Sequence, residues 1–317
     1  MTYKIVAVTP AGRRYYMDLL KHYILRDSNI SEWHLWDNCR DPSDRIYIDN
    51  LEREHEKIHI VRIEKTDGTN LSVNKFYKFC DDPTAFYIKM DDDLVYIQEG
   101  MAKTLFDAAS AQRDTCFWWS PLVINNALCS WLLQHHGLLK TSAILSAQAG
   151  CATGWRDPRF AVALHSSFLE LLAKGKQVRI PNAFVSLSRF SINCLGFFGA
   201  DVRRIGSTFC PPDVDDEEWL SASLPLKEGR AGCIVGATCV AHYSFFTQEA
   251  ALRTTNILDR YYDLAGLKRH YPFPLAKRIS PQKKIRRIAR MLLMELGIKI
   301  NREHKNENHF YVHIAPD

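Results

Sequence analysis

The sequence predicts an α/β protein, with a mostly parallel central sheet flanked by helices and a helical tail at the carboxyl end. Three observations carry this expectation. Short apolar runs rich in β-branched and aromatic residues alternate with stretches of helical spacing, the pattern of parallel strands joined by crossover helices. The first run, Lys4 to Thr9, ends in the turn Pro10-Ala11-Gly12-Arg13 before a helical stretch. Ligands gather at the carboxyl ends of strands arranged in this way. A later run, Ala85-Phe86-Tyr87-Ile88-Lys89-Met90, ends in Asp91-Asp92-Asp93 ahead of Leu94-Val95-Tyr96-Ile97.

At 317 residues the chain can bury a full core, as one large α/β domain or a domain with an appendage. Its 46% hydrophobic and 24% charged composition fits a soluble globular protein. No uninterrupted apolar run approaches the ~20 residues of a membrane span. Met1 to Thr9 is too short and too strand-like for a signal peptide. Nine cysteines without CxxC spacing read as reduced thiols in a cytosolic protein, not as zinc ligands. The net charge of +5 is mild, and much of the excess sits near the carboxyl end.

In chain order, Tyr15, Tyr16, Leu19, Leu20 and Tyr23 recur at helical spacing, and no GxGxxG follows the first strand, so a dinucleotide fold has no support. Glu32 to Trp36 reads as a second strand with Asp37 and Asn38 at its end, followed by a polar loop from Cys39 to Asp44. A carboxylate there could accept hydrogen bonds from a base or ribose, or simply cap a loop. Lys57 to Ile63 is a third strand, and Asn74 to Cys80 a helix bearing Lys75 and Lys78. Gln98 to Gln112 has helical spacing, and Cys116 to Trp119 reads as a strand that ends at Ser120-Pro121. From Leu122 to about Gly154 the pattern is irregular, with Asn125, Asn126, Trp131, His135 and His136, and Trp155 just beyond. Amides and aromatics of this kind line carbohydrate pockets, although a Trp also serves as core. Val162 to Leu172 is a further helix, carrying His165.

The triplet at Asp91 is where chemistry is expected, because three carboxylates cannot enter a core unneutralised. In an extended chain residues two apart share a side, so Asp91 and Asp93 can converge on one cation while Asp92 turns away. Hard oxygen ligands favour Mg²⁺ or Mn²⁺ over zinc, and such ions take further ligands from substrate phosphates. An acidic turn or helix start is the bland alternative. A second cluster, Asp213-Val214-Asp215-Asp216-Glu217-Glu218, reads as a helix start ahead of Trp219. The helix dipole accounts for two or three acids there and leaves little reason for five, so one could serve as a general base. Gly229 to Ala237 is studded with glycine and reads as a mobile lid. It leads to His242, either a core histidine or the third protein ligand of the metal site.

Taken together, these stretches resemble a GT-A-type nucleotide-sugar glycosyltransferase over roughly residues 3 to 255. The resemblance rests on Tyr87-Ile88-Lys89-Met90-Asp91-Asp92-Asp93 (the family's DxD), the run Asp215 to Leu220, and Ala241-His242-Tyr243-Ser244-Phe245. It implies a Rossmann-like GT-A domain over 1–265, with a nucleotide-binding half to about 120 and an acceptor-binding half beyond, then a basic tail over 266–317. It implies that Asp93 ligates Mn²⁺ or Mg²⁺, with Asp91 reaching the metal or the ribose through water and His242 as the late ligand. Thr9, Pro10 and Asp37 would line the nucleoside pocket, and Lys75 and Asp92 are counted with the donor-binding residues. The acceptor base falls within Asp215, Asp216 and Glu217, with Asp216 favoured because it sits just ahead of the helix. The implied activity is inverting hexosyl transfer from a UDP- or GDP-sugar to a glycan or lipid-linked saccharide. The segment from 122 to 200 matches nothing in the family pattern.

Two other classes compete. A nucleotidyl- or phosphoryl-transfer enzyme also needs paired carboxylates and a metal, but GxxxxGK[ST] is absent. A non-catalytic carbohydrate-binding protein holding Ca²⁺ leaves the second acidic cluster and the glycine lid unexplained. The tail adds a surface question. Lys277 to Arg290 contains no acid, and past Pro281 residues Ile285, Ile288, Ala289, Leu292 and Leu296 share one helical face, with Lys284, Arg286, Arg287 and Arg290 around the rest. Such a helix either lies on an anionic membrane surface or packs its stripe on the body of the protein. Nucleic acid is disfavoured, since no aromatic residues interleave the charges. The expected location is cytoplasmic, peripheral on the inner face of a membrane if the tail binds there.

Overall fold

The structure, a computed structural model, describes residues 3–64, 66–186, 188–274 and 312–314. Strand β1 (Lys4–Ala11) is buried along nearly its whole length and feeds helix α1 (Arg14–Arg26), whose Tyr16, Leu19, Leu20 and Ile24 face the core. Strand β2 (Ile30–Asp37) follows, and helix α2 (Pro42–Glu54) starts where the sequence reads only as a polar loop. Asp41 caps it by accepting from the Ser43 N–H at 2.9 Å, and Pro42 occupies the first turn, where its missing N–H costs nothing. Strand β3 (Ile58–Val61) precedes helix α3 (Asn70–Val73), which tightens into a 3₁₀ stretch over Asn74–Phe79. Strands β4 (Ala85–Met90) and β5 (Leu94–Ile97) flank the acidic triplet, and helix α4 (Met101–Ala111) follows.

Strand β6 (Cys116–Ile124) does not stop at Ser120-Pro121. Pro121 lacks an N–H for the ladder, and the sheet absorbs this on the neighbouring strand, whose register jumps from Val235 to Cys239 opposite Pro121 and Leu122. The region read as irregular contains helix α5 (Ala127–His135), capped by Asn126, and strand β7 (Leu139–Thr141). A π-helical turn at Ala152–Arg156 then leads to helix α6 (Pro158–Ala173). Strands β8 (Ala183–Val185) and β9 (Cys194–Phe198), helix α7 (Gly199–Ile205) and the short helix α8 (Asp216–Glu218) come next. A π turn (Trp219–Ser223) joins α8 to α9 (Leu224–Lys227).

The glycine-studded segment is not a lid. It forms most of β10 (Ala231–His242), a buried strand of the central sheet. Its glycines permit close packing: a Cβ on Gly232 would lie 1.9 Å from the Trp118 ring, and one on Gly236 2.0 Å from the Ile180 carbonyl oxygen. Helices α10 (Glu249–Leu252) and α11 (Ile257–Leu264) close the main body.

The sheet runs β3-β2-β1-β4-β9-β6-β10-β5, with β8 on the side of β10. β3, β2, β1 and β4 are parallel, as are β6 and β10, while β9 runs against both β4 and β6. This is the mostly parallel, helix-flanked, Rossmann-like architecture of the GT-A type that the sequence predicts. Its consequence for function is positional: the carboxyl ends of β1, β2, β4, β6 and β10 open on the same edge, and the amino end of β9 joins them there.

The basic amphipathic stretch within 277–296 lies outside the described residues. The chain beyond it returns to the body. Val312–Ile314 forms β11, antiparallel to β7, and the Ile314 N–H donates to Ser167 Oγ at 2.7 Å. No helix among the described residues is long and apolar enough to cross a membrane.

Candidate active site

The turn after β4 is pinned on two sides. The Asp91 N–H donates to the Asn193 carbonyl at 2.9 Å, just ahead of β9, and the Tyr243 N–H donates to the Asp93 carbonyl at 2.9 Å, just beyond β10. This brings His242 to the acidic turn, and one ligand atom from each of Asp91, Asp93 and His242 lies within 4.8 Å of the others. Among the described residues no other group of three such side chains converges in this way. Asp93 and His242 are 1% and 3% exposed, and neither Asp93 carboxylate oxygen has a hydrogen-bond partner. Buried carboxylate oxygens whose contacts are ion pairs with Arg13 and His242, beside an imidazole nitrogen, are a donor set that fits a divalent cation.

Basic groups frame the triplet. Arg13, in the turn after β1, binds Asp92 through Nε at 2.8 Å and through Nη2, and that Nη2 lies 3.1 Å from Asp93 Oδ1. Lys89, a buried lysine on β4, bonds Asp91 and the Ile192 carbonyl, and Asn193 Nδ2 donates to Asp91 Oδ2 at 3.2 Å. Asp92 is thus held in a salt bridge whose guanidinium also touches Asp93. Burial pushes the Asp92 carboxyl up to about 6 despite Arg13. Burial opposes ionisation of Asp93 too, but Arg13 and His242 outweigh it and hold that carboxyl well below the usual range. For His242 burial works against the charged ring, and Asp93 more than compensates, raising its pKa. A proton on His242 thus occupies the place a cation would contest.

His242 is oriented from behind. Its Nδ1 lies 3.4 Å from the Asn125 carbonyl, which leaves Nε2 facing Asp93 Oδ2 at 3.5 Å. Asn125 holds a left-handed φ of 64° at the end of β6. Its side chain donates to the Tyr243 carbonyl at 3.1 Å and to Gln248 Oε1 at 3.0 Å. Asn126 ties Ser191 and Asn193 to the same strand end. Both amides are fully buried and build the site's frame, so they offer no surface to a saccharide.

The second acidic cluster sorts its members by partner. Asp215 caps α8, accepting from the Glu218 N–H at 3.2 Å, and pairs with Arg189 at 3.0 Å. Glu217 takes the other side of Arg189 at 2.6 Å. Asp216 makes no ion pair among the described residues; burial first, and Asp91 among the nearby charges, raise its pKa against the pull of Lys89. Lys89 in turn feels Asp91, Asp216 and Glu217, so it sits between the two clusters. Asn74 holds the approach to α8, its Nδ2 donating to the Pro211 and Val214 carbonyls at 2.8 Å each. The buried Tyr77 hydroxyl, without a partner, feels both Asp216 and Asp91.

The remaining residues singled out by sequence are dispersed. Thr9 is fully buried, with Oγ1 accepting from Trp33 Nε1 at 3.0 Å, and Pro10 beside it is half-buried. Asp37, at the end of β2, is gripped by Arg45 at 2.9 Å and Arg62 at 3.3 Å. Lys75 is exposed and lines a lateral groove of about 870 Å³ with Arg62, Lys78, Arg203 and Pro212. Sequence reasoning assigned no role to Arg13, Lys89, Asn193, Tyr77 or Gln248. Only Arg13 carried a signal, as a basic residue in a strand-end turn.

No family model matches this chain, and no curated protein matches it. Solved structures similar to it include a mannosyltransferase from Pyrobaculum calidifontis in complex with GDP-mannose and Mn²⁺, at 12% identity and TM-score 0.45, covering 95% of this chain and 82% of that one. GalNAc-T7 with UDP, GalNAc and Mn²⁺ is similar at 11% identity and TM-score 0.46, over 95% of this chain and 57% of that one. A 4-diphosphocytidyl-2C-methyl-D-erythritol synthase from Anaerococcus prevotii is similar at 13% identity and TM-score 0.43, over 83% and 96%. Glycosyltransferases and a nucleotidyl-transfer enzyme thus stand among the similar structures. These likenesses are loose, and the functional reading stands on the residues of the site.

Proposed function

We propose that the chain is a metal-dependent glycosyltransferase that moves a hexosyl group from a nucleotide-diphosphate sugar to a hydroxyl of a glycan or lipid-linked saccharide. The observation that supports this best is the convergence of Asp91, Asp93 and His242 at the strand ends, with Asp93 buried between His242 and Arg13. The cation held there, Mn²⁺ in preference to Mg²⁺ because one ligand is an imidazole, would neutralise charge on the departing diphosphate as a Lewis acid. Lys89 and Asn193 hold the Asp91 carboxylate in place, and Arg13 pairs with Asp92. Asp216, raised in pKa and without an ion pair among the described residues, takes the proton of the acceptor hydroxyl. As that oxygen bonds to the anomeric carbon, the anomeric bond to the diphosphate breaks, and the sugar inverts. Pro10 and Asp37, beside Thr9, border the nucleoside, with Arg45 and Arg62 fixing Asp37. Residues up to about 120 bind the donor, those to about 265 receive the acceptor, and the basic stretch beyond 277 meets an anionic membrane surface.

The test is calorimetric titration of the full-length protein with UDP and GDP, with Mn²⁺ and again in EDTA, followed by mass-spectrometric screening of nucleotide sugars for turnover. Metal-dependent binding of one nucleotide and release of its diphosphate support the reading. Equal affinity with and without metal sinks it, and release of pyrophosphate from a nucleoside triphosphate would replace it with nucleotidyl transfer.

A further inference from the structure

Beside the metal group lies a pair of aromatic rings that the core does not use. Phe245 is buried and meets the His242 ring edge-on at 4.8 Å and 67°. The next residue, Phe246, is 67% exposed. Its ring meets that of the half-buried Trp155 at 5.4 Å and 78°, and Trp155 in turn lies 6.5 Å from Phe245. A phenyl ring left in water forgoes the stabilisation that burial would give it.

The two rings stand on a stiff support. Thr247 Oγ1 donates to the Trp155 carbonyl at 2.7 Å, and Gln248 Nε2 donates to the Gly154 carbonyl at 3.4 Å. Gly154 packs so tightly on Ala127 that a Cβ would lie 2.9 Å from its Cα. Gln248, fully buried, also accepts from Asn125 Nδ2 at 3.0 Å and the Phe245 N–H at 3.3 Å. Asn125 is the residue that orients His242, so one hydrogen-bonded hub sets both the metal ligand and the aromatic pair.

We propose that Trp155 and Phe246 form a stacking platform for a pyranose ring of the acceptor saccharide. This deepens the glycosyl-transfer reading and rests on it. The apolar C–H face of a pyranose matches an aromatic ring in size, and rigid aromatics lose little entropy on binding. Arg156, with its guanidinium 5.6 Å from the Trp155 ring centroid, supplies donors for the ring's hydroxyls. Two rings are far too small for a protein partner, which needs about 800 Å² on each side. Phe245 stands between the platform and His242, so a saccharide held on Trp155 and Phe246 is one ring removed from the metal group.

The test titrates full-length protein, with Mn²⁺ and the nucleotide it prefers, with maltose, cellobiose, lactose and chitobiose, read by calorimetry. Wild type, Phe246→Ala and Trp155→Ala are compared, with thermal melting as the folding control. At least one disaccharide is expected to bind wild type and to lose about tenfold or more in affinity in each variant, with metal-dependent nucleotide binding unchanged. Equal affinity in wild type and variants overturns the platform, as does failure of every disaccharide to bind a wild type that still binds metal and nucleotide. A melting point lowered by several degrees in Phe246→Ala, without a change in saccharide affinity, shows instead that the chain itself covers the ring, and also overturns it. Loss of metal-dependent nucleotide binding in wild type would sink the glycosyl-transfer reading and the platform together.

Discussion

In the strand-end cluster, Asp92 and Asp93 are 5% and 1% exposed, and an arginine, a lysine and a histidine surround the triplet. In the helix-start cluster, Asp213 and Asp215 face solvent, and one half-exposed arginine serves two of the acids. Buried carboxylates survive only where opposite charge and hydrogen bonds compensate their desolvation, so every basic side chain near the first cluster is committed. Exposed acids at a helix start are already stabilised by the dipole and by water, so the second cluster can leave members such as Asp213 without an ion pair. Asp216 also lacks one among the described residues, yet it is less exposed, and burial first raises its pKa against the pull of Lys89, with Asp91 adding to the rise. A buried, compensated cluster suits the proposed cation, and a loosely compensated acid beside it suits the proposed base.

The contrast breaks most visibly at Asp93. Asp93→Ala is expected to weaken Mn²⁺-dependent nucleotide binding by more than about a hundredfold, since even outer partners of a metal site cost 10–100-fold. Calorimetry reads this directly, and an unchanged affinity would move the metal elsewhere.

Asp216→Asn is expected to lower kcat by roughly 10²–10⁴-fold with nucleotide binding kept. Asp215→Asn and Glu217→Gln should cost much less, because each is tied to Arg189. If Asp215→Asn falls as far as Asp216→Asn in steady-state transfer, the sorting of acids by partner is wrong.

The brace behind the first cluster gives a pH signature. His165 is buried between the Tyr261 hydroxyl at 2.8 Å from Nδ1 and the Tyr243 carbonyl at 2.9 Å from Nε2, contacts that suit a neutral ring. Burial lowers its pKa from 6.5 to about 4. The unfolded chain therefore binds this proton first, and the stability held above pH 6.5 drains away as pH falls toward 4, by up to about 3 kcal/mol. Denaturant unfolding at pH 7.5 and pH 5 should show a drop in wild type that is smaller in His165→Gln, and identical slopes would deny His165 this role.

The smallest effect is expected from Gln248→Leu, which removes the hub without touching a ligand. Mn²⁺ affinity should fall about 10–100-fold while the fold is kept. A variant that binds Mn²⁺ like wild type would show that Asn125 orients His242 unaided.

Some of this was legible in the residues alone. The alternation of short apolar runs with helical spacing located the first four strands, and acids at the end of β4 pointed to an oxygen-rich site. The glycines of β10 misled because glycine spacing looks the same whether it gives mobility or close packing, and only Trp118 and Ile180 distinguish the two. Pro121 misled because a strand interior accepts proline only when its neighbour can bulge, a property of β10 and not of β6. Helix α2 went unread because its start, a capping Asp before a Pro, lies inside a polar run.

By itself the sequence determined the periodicities and the strand-end carboxylates, because each depends on residues a few positions apart; the acid expected just ahead of the helix, Asp216, is instead the first residue of α8, and Asp215 is the one ahead of it. The tertiary structure alone decided which charge meets which. Arg13 reaches Asp92 from 79 positions away, Asn193 reaches Asp91 from 102, and Asn125 meets Gln248 across 123. Desolvation makes such partners obligatory for buried charge, yet any basic or amide side chain the fold delivers will serve. Local pattern therefore reveals that a partner must exist, and the sheet order decides which residue it is.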